Sequence, residues 1–331
     1  MKIMVYEARP DERADLEKQA ALHGVELSVT DAVPTLENAS LAAGCIGVSI
    51  LGQGCIDAAL LDAYHALGIR YLSTRTIGYD HIDLDHARSI GLRVCSASYA
   101  PNGVADFTVM MILMCLRHYK QALWRGQVND FSLTGLQGRE MKDLTIGIIG
   151  TGRIGAQVAR NLSGFGCRIL AYDLRRNPAV EPQVTYVDFD TLLAQSDVIT
   201  LHMPLLDSNR HIINRESIAK MRDGVVIVNC SRGELADIEA LIEGIETGKI
   251  GALGMDTVEG DEGIIHADHR VDILPNRNWF YLHQFRNVIM TQHMAFYTDA
   301  AVSSMVDCGI GGICQMAAGE SCPTEVTGPV Q

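Results

Sequence analysis

The sequence has no excess of positive charge and no uninterrupted apolar run long enough to cross a bilayer. It contains 27 lysines and arginines against 40 aspartates and glutamates, which gives a net charge of −13. This balance argues against nucleic acid or an anionic membrane as a partner. The most apolar stretch, residues 99–116, is interrupted by Pro101, Asn102 and Asp106. An anionic cofactor would therefore have to be bound by local groups, such as helix ends and single arginines.

Paired-cysteine motifs are also missing. The nine cysteines are scattered, and none forms a C-x-x-C or metal-finger pattern. We therefore expect reduced thiols, no metal site and a cytoplasmic protein. Residues 1–6 predict a first strand rather than a signal peptide.

The strongest local pattern is a glycine motif. An apolar run at 144–149 precedes Gly150-Thr151-Gly152-Arg153-Ile154-Gly155, and a helix-like stretch follows. In this G-x-G-x-x-G form, the first glycine permits a sharp turn and the second lets a pyrophosphate approach the backbone. The third lets the helix pack closely on the strand, and the helix N-terminus then faces the phosphates. The pattern predicts dinucleotide binding.

An acid stands where a dinucleotide site needs one. Asp173 ends the second apolar run, at a spacing from Gly150 near the roughly 20 residues that the motif requires. Its carboxylate would accept hydrogen bonds from the adenosine ribose and repel a 2′-phosphate, which favours NAD over NADP. Arg175 and Arg176 follow directly and leave that choice open.

The order of elements predicts an α/β fold with two Rossmann-like, doubly wound parallel-sheet domains and a cleft between them. Residues 1–100 alternate strands and helices, as does the chain after 144. A long apolar helix, 101–120, is expected to bridge the lobes, and a helix at 298–318 to return to the first. The expected domains are a substrate domain, 1–100 plus 299–331, and an NAD-binding domain, 101–298. Residues 121–143 are expected to be irregular, and 259–287 to form a long functional segment or lobe contact.

Three later stretches contain residues suited to catalysis. Arg232 follows a predicted strand and can bind a carboxylate bidentately. Four acids occur within 256–262, and His293 follows the last predicted strand. Taken alone, each stretch is better explained by an ordinary structural role: a surface arginine, a solvated loop and a satisfied buried histidine. Together they supply a cation for a substrate carboxylate, a proton donor and an acid to orient it, which suits reduction of a 2-keto acid.

These motifs together resemble the D-isomer-specific 2-hydroxyacid dehydrogenase family, best its D-lactate dehydrogenase-like branch, over essentially the whole chain. The matching segments are 150–155, 202–205, 229–233, 256–259 and 293–298. The resemblance implies NAD-dependent reduction of a 2-keto acid to an (R)-2-hydroxy acid by a homodimer. The apolar face of 104–116 is a candidate dimer interface, although core packing explains it equally well.

The resemblance also implies roles for particular residues. Arg232, His293 and Asp261 would be catalytic. The cofactor-binding set would be Gly150, Gly152, Arg153, Ile154, Gly155, Asp173, His202, Met203, Pro204, Asn209, Cys230, Ser231, Arg232, Asp256 and Val104. Substrate would contact Ile77, Gly78, Tyr79, Tyr99 and Phe296.

Two positions depart from the family's pattern. The family's catalytic acid is usually a glutamate, whereas this position is Asp261, one methylene shorter, with Glu262 next to it. Either can pair with His293. The residue before the histidine is commonly proline and is Gln292 here.

Three functions fit these observations to different degrees. The first is the 2-keto acid reductase, with domain closure excluding water. The second is another dehydrogenase on this fold, acting on formate or 3-phosphoglycerate. A phosphorylated substrate would require extra cations in the first lobe, where Arg75 is the clearest arginine. The third is an NAD-sensing binding protein, which the nearly complete catalytic set argues against.

Overall fold

The chain contains two separate parallel β-sheets, each flanked by helices. The structure is a computed structural model that describes residues 1–274 and 276–328. Its strands are β1 (Lys2–Val5), β2 (Glu26–Val29), β3 (Gly47–Ile50), β4 (Tyr71–Thr74), β5 (Arg93–Cys95), β6 (Thr145–Ile149), β7 (Arg168–Tyr172), β8 (Thr185–Tyr186), β9 (Val198–Leu201), β10 (Val225–Asn229), β11 (Ile250–Met255) and β12 (Val288–Met290). Its α-helices are α1 (Arg13–His23), α2 (Ala58–Ala66), α3 (Leu84–Ser89), α4 (Asn102–Leu116), α5 (Tyr119–Gln127), α6 (Arg153–Ser163), α7 (Phe189–Gln195), α8 (Arg215–Lys220), α9 (Ile238–Glu246), α10 (Arg277–Gln284) and α11 (Asp299–Ala317).

The chain divides into two compact units. The smaller unit consists of Met1–Ala100 and Tyr297–Gln331, and the larger unit is Pro101–Phe296. Each contains one of the two sheets. The predicted α/β class with two parallel sheets is confirmed.

The sheet of the smaller unit has the order β2-β1-β3-β4-β5, with every neighbouring pair parallel. Both of its faces are covered. Ile3 and Val5 pack into a cluster with side chains of α1 and α11, whereas Met4 packs into a cluster on the α2 and α3 side. This alternation follows from the two-residue period of a strand, and two covered faces are typical of a parallel sheet.

The sheet of the larger unit has the order β12-β11-β10-β9-β6-β7-β8. The chain winds outward from β6 through β7 to β8, then resumes at β9 on the other side of β6 and winds the opposite way. The strand order therefore reverses between β6 and β9. In open α/β sheets, ligands bind beyond the carboxyl ends of the strands at such a reversal. The glycine motif follows β6, so it lies at this position.

The structure differs from the predicted elements at three places. The expected helix 101–120 ends at Leu116, and α5 occupies the start of the region expected to be irregular. The break lies at His118, whose φ of +50° is left-handed. Neither glycine nor proline marks that position, so the sequence gives no signal for the break. The expected irregular segment 259–287 also contains α10 near its end.

Helix α11 is long and apolar enough to cross a bilayer by length and composition alone. The sequence reading did not identify it as such a segment. Within the smaller unit, however, 56% of its most apolar window is buried. Val306, Ile310 and Ile313 are fully buried in the cluster that also contains Ile3 and Val5. A core helix accounts for this apolar character.

Candidate active site

The glycine motif forms an open cradle at the start of α6. Gly150 has a φ of +93°, a left-handed conformation that favours glycine. A Cβ on Gly155 would lie 1.9 Å from the carbonyl oxygen of Gly150, whereas a Cβ on Gly152 would meet nothing within 4 Å. Gly152 is the N-cap of α6 and offers no side chain to the helix, so the first N–H groups are available to a ligand.

The start of α6 thus fits a pyrophosphate group. Gly152 and Arg153 are exposed, Ile154 is half-buried and Gly155 is buried. The tight contact at Gly155 brings the helix against the β6 turn, while the space over Gly152 stays open.

Asp173 lies beside this cradle because β6 and β7 are parallel neighbours, with Ile149 opposite Tyr172. Its Oδ2 accepts the backbone N–H of Thr151 at 2.6 Å and the Thr151 hydroxyl at 3.1 Å. Its Oδ1 accepts the backbone N–H of Arg175 at 2.9 Å. Three donors therefore fix the carboxylate in one orientation.

His202, the first residue after β9, is buried against the glycine motif. The His202 ring contacts the Thr200 hydroxyl through Nε2 at 3.0 Å, and burial lowers the pKa of His202 to about 3. This imidazole is therefore neutral and part of the core. A Cβ on Gly150 would lie 2.5 Å from the carbonyl oxygen of His202, so the backbone of this residue is what approaches the cradle.

Residues 203–209 form a loop held by side chains of the predicted cofactor set. Asn209 donates from Nδ2 to the carbonyl of Pro204 at 2.8 Å and lies 3.3 Å from the sulfur of Met203. The Ser231 hydroxyl donates to the carbonyl of Met203 at 2.6 Å. The loops after β9 and β10 are therefore tied together. Two further members of the set, Val104 and Cys230, are buried.

Arg232 stands on a turn built by its neighbours. The fully buried Asn229 donates from Nδ2 to the carbonyl of Arg232 at 2.7 Å, and its Oδ1 accepts the N–H of Ser231 at 3.0 Å. A Cβ on Gly233 would lie 2.3 Å from the carbonyl carbon of Val258. The structure therefore gives a reason for two residues of the N-x-x-R-G motif. Asn229 shapes the turn, and Gly233 allows the segment after β11 to approach it.

Asp256 organises the turn that carries His293. Asp256 is buried and follows β11. It accepts the Thr291 hydroxyl at 2.6 Å and the backbone N–H groups of Met294 at 2.9 Å and Ala295 at 2.8 Å. His293 between them has a φ of +52°. Such a left-handed conformation is costly for a residue other than glycine and persists only where its surroundings impose it.

The electrostatic setting of His293 differs from the expected one. Burial, with smaller contributions from the nearby Arg232 and His266, lowers the pKa of His293 to about 4, although Asp256 acts in the opposite direction. The sequence reading expected an acid to raise this pKa. In the structure Asp256 contributes that effect, but burial outweighs it, so the imidazole is neutral near pH 7.

Asp261 does not contact His293. Its Oδ2 accepts the N–H of Val258 at 3.1 Å, which turns the short side chain back on its own loop. Burial raises the pKa of Asp261 to about 6, with Glu262 and Glu234 adding to the effect. Among the contacts that the structure describes outside Pro275 and 329–331, none joins Asp261 or Glu262 to His293. Their pairing with the histidine stays a prediction, and Gln292 is exposed.

A ring cluster at His293 was missed by the sequence reading. Nε2 of His266 lies 3.2 Å from the carbonyl oxygen of His293. The ring centroids of His266, His293 and Phe296 lie 6.1 to 6.4 Å apart. His266 belongs to the long segment after β11, for which no sequence pattern predicts a partner. The cluster places Phe296, an expected substrate contact, beside the expected acid.

The loop after β4 in the smaller unit carries the expected carboxylate-binding N–H groups of Ile77, Gly78 and Tyr79. The Thr76 hydroxyl donates to the carbonyl of Gly78 at 2.6 Å, which tightens this loop. Tyr79 is exposed, whereas Tyr99, after β5, is half-buried. The loop is thus held by its own side chains and leaves Tyr79 open to solvent.

Arg75 is not available to a phosphorylated substrate. It is fully buried, with Nε 2.9 Å from Oε1 of Glu12. Its Nη1 donates to the Ser49 hydroxyl at 3.1 Å, and its Nη2 donates to the carbonyl of Tyr6 at 3.0 Å. This arginine is a structural cation of the smaller unit.

Comparison with known proteins agrees with this geometry. A protein-family model, described as the NAD-binding domain of D-isomer specific 2-hydroxyacid dehydrogenases, matches residues 109–295. An aromatic 2-oxoacid reductase of Clostridium sporogenes is 42% identical over 311 residues, covering 93% of each chain. Apo D-lactate dehydrogenase of Escherichia coli superposes with a TM-score of 0.86 at 35% identity, covering 98% of this chain and 100% of that one.

A third relative was solved with its cofactor. The NAD complex of the D-isomer specific 2-hydroxyacid dehydrogenase from Lactobacillus delbrueckii ssp. bulgaricus superposes with a TM-score of 0.82 at 30% identity, covering 98% of this chain and 100% of that one. With the fit of the glycine cradle, these matches confirm NAD as the cofactor. The chain is an oxidoreductase that belongs to the D-isomer specific 2-hydroxyacid dehydrogenase family, in its D-lactate dehydrogenase-like branch.

Proposed function

We propose that this protein reduces a 2-keto acid to an (R)-2-hydroxy acid, with His293 as proton donor and Arg232 as carboxylate ligand. The observation that carries the proposal is the Asp256 carboxylate, whose three hydrogen bonds hold the turn around His293. Arg232 lies near enough to lower the pKa of that histidine. The proximity of an imidazole and a guanidinium in the larger unit supports the pairing of an acid–base group with a carboxylate ligand.

The two side chains have complementary tasks. The planar guanidinium of Arg232 would bind the substrate carboxylate through two parallel hydrogen bonds, which fixes the orientation of the 2-keto group. The imidazolium of His293 would donate a proton to the alkoxide that develops on the keto oxygen. Asp256 would stabilise that imidazolium and keep its ring in place.

NAD would be held by the cradle at Gly150, Gly152 and Gly155, by Arg153 and Ile154 at the start of α6, and by Asp173 at the ribose. Bound as NADH, it supplies the hydride. Main-chain and apolar groups of Met203, Pro204, Cys230 and Val104 would flank it. Asp256 would also hold the carboxamide.

The smaller unit would be the substrate domain. The backbone N–H groups of Ile77, Gly78 and Tyr79 and the hydroxyl of Tyr99 would bind the substrate carboxylate, and Phe296 of the larger unit would face the substrate side chain. The sequence proposes domain limits of 1–100 plus 299–331 for the substrate domain and 101–298 for the NAD-binding domain. The compact units differ by two residues where the chain returns to the smaller unit, since the larger unit ends at Phe296.

The relatives include an aromatic 2-oxoacid reductase and D-lactate dehydrogenases, so the substrate test must cover both sizes. NADH oxidation is measured with pyruvate, 2-ketoisocaproate, phenylpyruvate, 2-ketoglutarate, glyoxylate and hydroxypyruvate, and the product is resolved by chiral chromatography. We expect turnover of at least one with an (R) product. His293→Ala should lose turnover by orders of magnitude while NADH still binds, and Arg232→Lys should mainly raise KM. Turnover retained in His293→Ala would remove this residue as the acid.

One of the alternatives loses support from the structure, and another is tested by the substrate panel. Reduction or oxidation of a phosphorylated substrate relied on Arg75, which is occupied by Glu12. An NAD-sensing role would be indicated by NADH binding without turnover of any keto acid in the panel.

We also propose a cytoplasmic homodimer. The candidate face 104–116 is mostly buried in the larger unit. Instead α5 and the segment after it expose large apolar side chains: Leu123, Trp124, Phe131 and Leu133 are 52%, 66%, 77% and 84% exposed. Large exposed apolar side chains on neighbouring stretches of the chain favour this region as the association surface. Trp124→Glu should shift the sedimentation coefficient towards the monomer, and an unchanged dimer would remove this surface as the interface.

A further inference from the structure

A chain of hydrogen bonds runs from the edge of the larger sheet to Asp173. The backbone N–H of Asn177 donates to the Tyr186 hydroxyl at 2.9 Å, and that hydroxyl donates to the Thr151 hydroxyl at 2.8 Å. The Thr151 hydroxyl then donates to Oδ2 of Asp173. Each hydroxyl accepts one bond and donates one, so the direction of the chain is fixed and it ends on the carboxylate.

The same contacts determine what Asp173 can still accept. A carboxylate offers about four acceptor positions. The backbone N–H and hydroxyl of Thr151 occupy both positions of Oδ2, and the N–H of Arg175 occupies one of Oδ1. The remaining position on Oδ1 can take a ribose hydroxyl. It cannot take the 2′-phosphate of NADP, which brings negative charge and only acceptors when fully ionised.

Tyr186 also contacts a cation that follows Asp173 in the chain. The guanidinium carbon of Arg176 lies 5.5 Å from the centroid of the Tyr186 ring, within the range of a cation–π contact. Asn177 adds a second tie, because its Nδ2 donates to the carbonyl of Thr151 at 2.8 Å. One aromatic residue therefore aims the acid through its hydroxyl and engages Arg176 through its ring.

We infer that Tyr186 is a positioning residue that selects NAD over NADP. Its hydroxyl keeps the Asp173 carboxylate aimed at the 2′-hydroxyl, and its ring keeps Arg176 from pairing with a 2′-phosphate. The inference rests on the proposed role of Asp173 as the ribose ligand. It addresses the ambiguity that Arg176 leaves in the sequence, because the structure engages that guanidinium on the Tyr186 ring, whereas Arg175 contacts Asp173 through its backbone N–H.

The first test removes the hydroxyl alone. Dissociation constants of NADH and NADPH are measured for Tyr186→Phe by nicotinamide fluorescence, without keto acid. Loss of one hydrogen bond in the chain should weaken NADH binding by about threefold to tenfold and affect NADPH less. The dissociation constant of NADPH divided by that of NADH therefore falls. The matched control is Tyr281→Phe in α10, which loses a hydroxyl that donates to Glu246 of α9 at 2.6 Å. Its ratio should not change.

The second test releases the cation. Tyr186→Ala should lower the NADPH-to-NADH ratio of dissociation constants by a further factor of about ten, since a freed guanidinium can pair with the phosphate. The double variant Tyr186→Ala/Arg176→Ala should lose this additional gain. A merely structural role for Tyr186 would weaken both cofactors equally and leave the ratio unchanged.

Asp173→Ala separates the two levels of the argument. If it lowers the ratio while neither Tyr186 variant does, the ribose role of Asp173 stands and the inference about Tyr186 is overturned. If Asp173→Ala also leaves the ratio unchanged, both are overturned. None of these measurements depends on which keto acid is reduced.

Discussion

The carboxylate of Asp256 accepts the backbone N–H of Met294 at 2.9 Å, directly after His293. The acid therefore acts on the histidine through the fold of the turn as well as through its charge. With burial and Arg232 holding the pKa of His293 down to about 4, the unliganded protein has a neutral imidazole, whereas the role of proton donor that we propose for His293 requires the protonated form.

Substrate binding should therefore be coupled to proton uptake. A keto acid carboxylate would neutralise Arg232 and add a negative charge near His293, and both changes raise the pKa of the histidine. Oxamate, an inert amide analogue of pyruvate, should bind the NADH complex near pH 7 with uptake of up to about one proton, and more weakly as pH rises. Calorimetry in two buffers of different ionisation enthalpy measures this uptake. His293→Gln should abolish it, and buffer-independent heats in the unaltered protein would contradict the account.

Lengthening Asp261 should change the pH profile. Asp261→Glu adds one methylene, which moves the carboxylate away from the Val258 N–H and gives it the reach to approach His293. An acid nearby raises the pKa of the histidine, and a raised pKa keeps the imidazolium populated to higher pH. The alkaline limb of kcat/KM for reduction should thus move up by about one pH unit. Asp261→Gln is the matched control, because it has the same length as glutamate without the charge, and it should not move the limb upward; an unmoved limb in Asp261→Glu would exclude this register.

Breaking the buried ion pair in the smaller unit should cost stability. Glu12 and Arg75 are both fully buried and 2.9 Å apart, so Glu12→Gln leaves the arginine charge without its partner. We expect the free energy of unfolding to fall by about 3–5 kcal/mol, measured by urea denaturation of the full chain. Glu26→Gln, which removes an exposed pair with Lys2 at 3.1 Å, should have a far smaller effect. Equal effects in the two variants would be inconsistent with the buried pair.

Adding a methyl group at Gly233 should displace the turn of Arg232. A Cβ there would lie 2.3 Å from the carbonyl carbon of Val258 and 2.5 Å from the nitrogen of Glu259. Gly233→Ala should therefore destabilise the protein by on the order of 1–3 kcal/mol and raise KM for the keto acid. Gly126→Ala in α5 is the matched control, because a Cβ there meets nothing within 4 Å. Thermal unfolding and steady-state kinetics are measured for both variants. Equal stability and equal KM in the two variants would contradict the prediction.

Elements whose geometry is dictated locally could be predicted from the sequence. The turn at Gly150 and the close packing at Gly155 allow only glycine, so the pattern identifies them directly. Alternation of strands and helices implied the parallel sheets, and the confirmed fold class and the confirmed cofactor, NAD, follow from those two signals. The position of His118 could not be predicted, because a left-handed histidine carries no turn signature.

Contacts between distant segments could not be predicted from the sequence either. Asp256 and Ala295 are 39 residues apart in the chain, and only the pairing of β11 with β12 brings them together. The side chain of Asp261 turns back on its own loop because it is one methylene shorter than glutamate. The position of a residue within a motif does not predict such a change of side-chain direction. His266 and Tyr186 lie in segments of weak periodicity, and their partners are defined only by the folded larger unit.

The return of α11 to the first sheet has a consequence for the order of folding during synthesis. The strands of the smaller unit leave the ribosome first, yet Val306, Ile310 and Ile313, which cover Ile3 and Val5, are translated after the whole larger unit. Nascent chains released before α11 should thus contain a protected larger unit and an open, protease-sensitive amino-terminal sheet. Its completion requires contacts that span about the full length of the chain, a closure that is slow compared with local helix pairing.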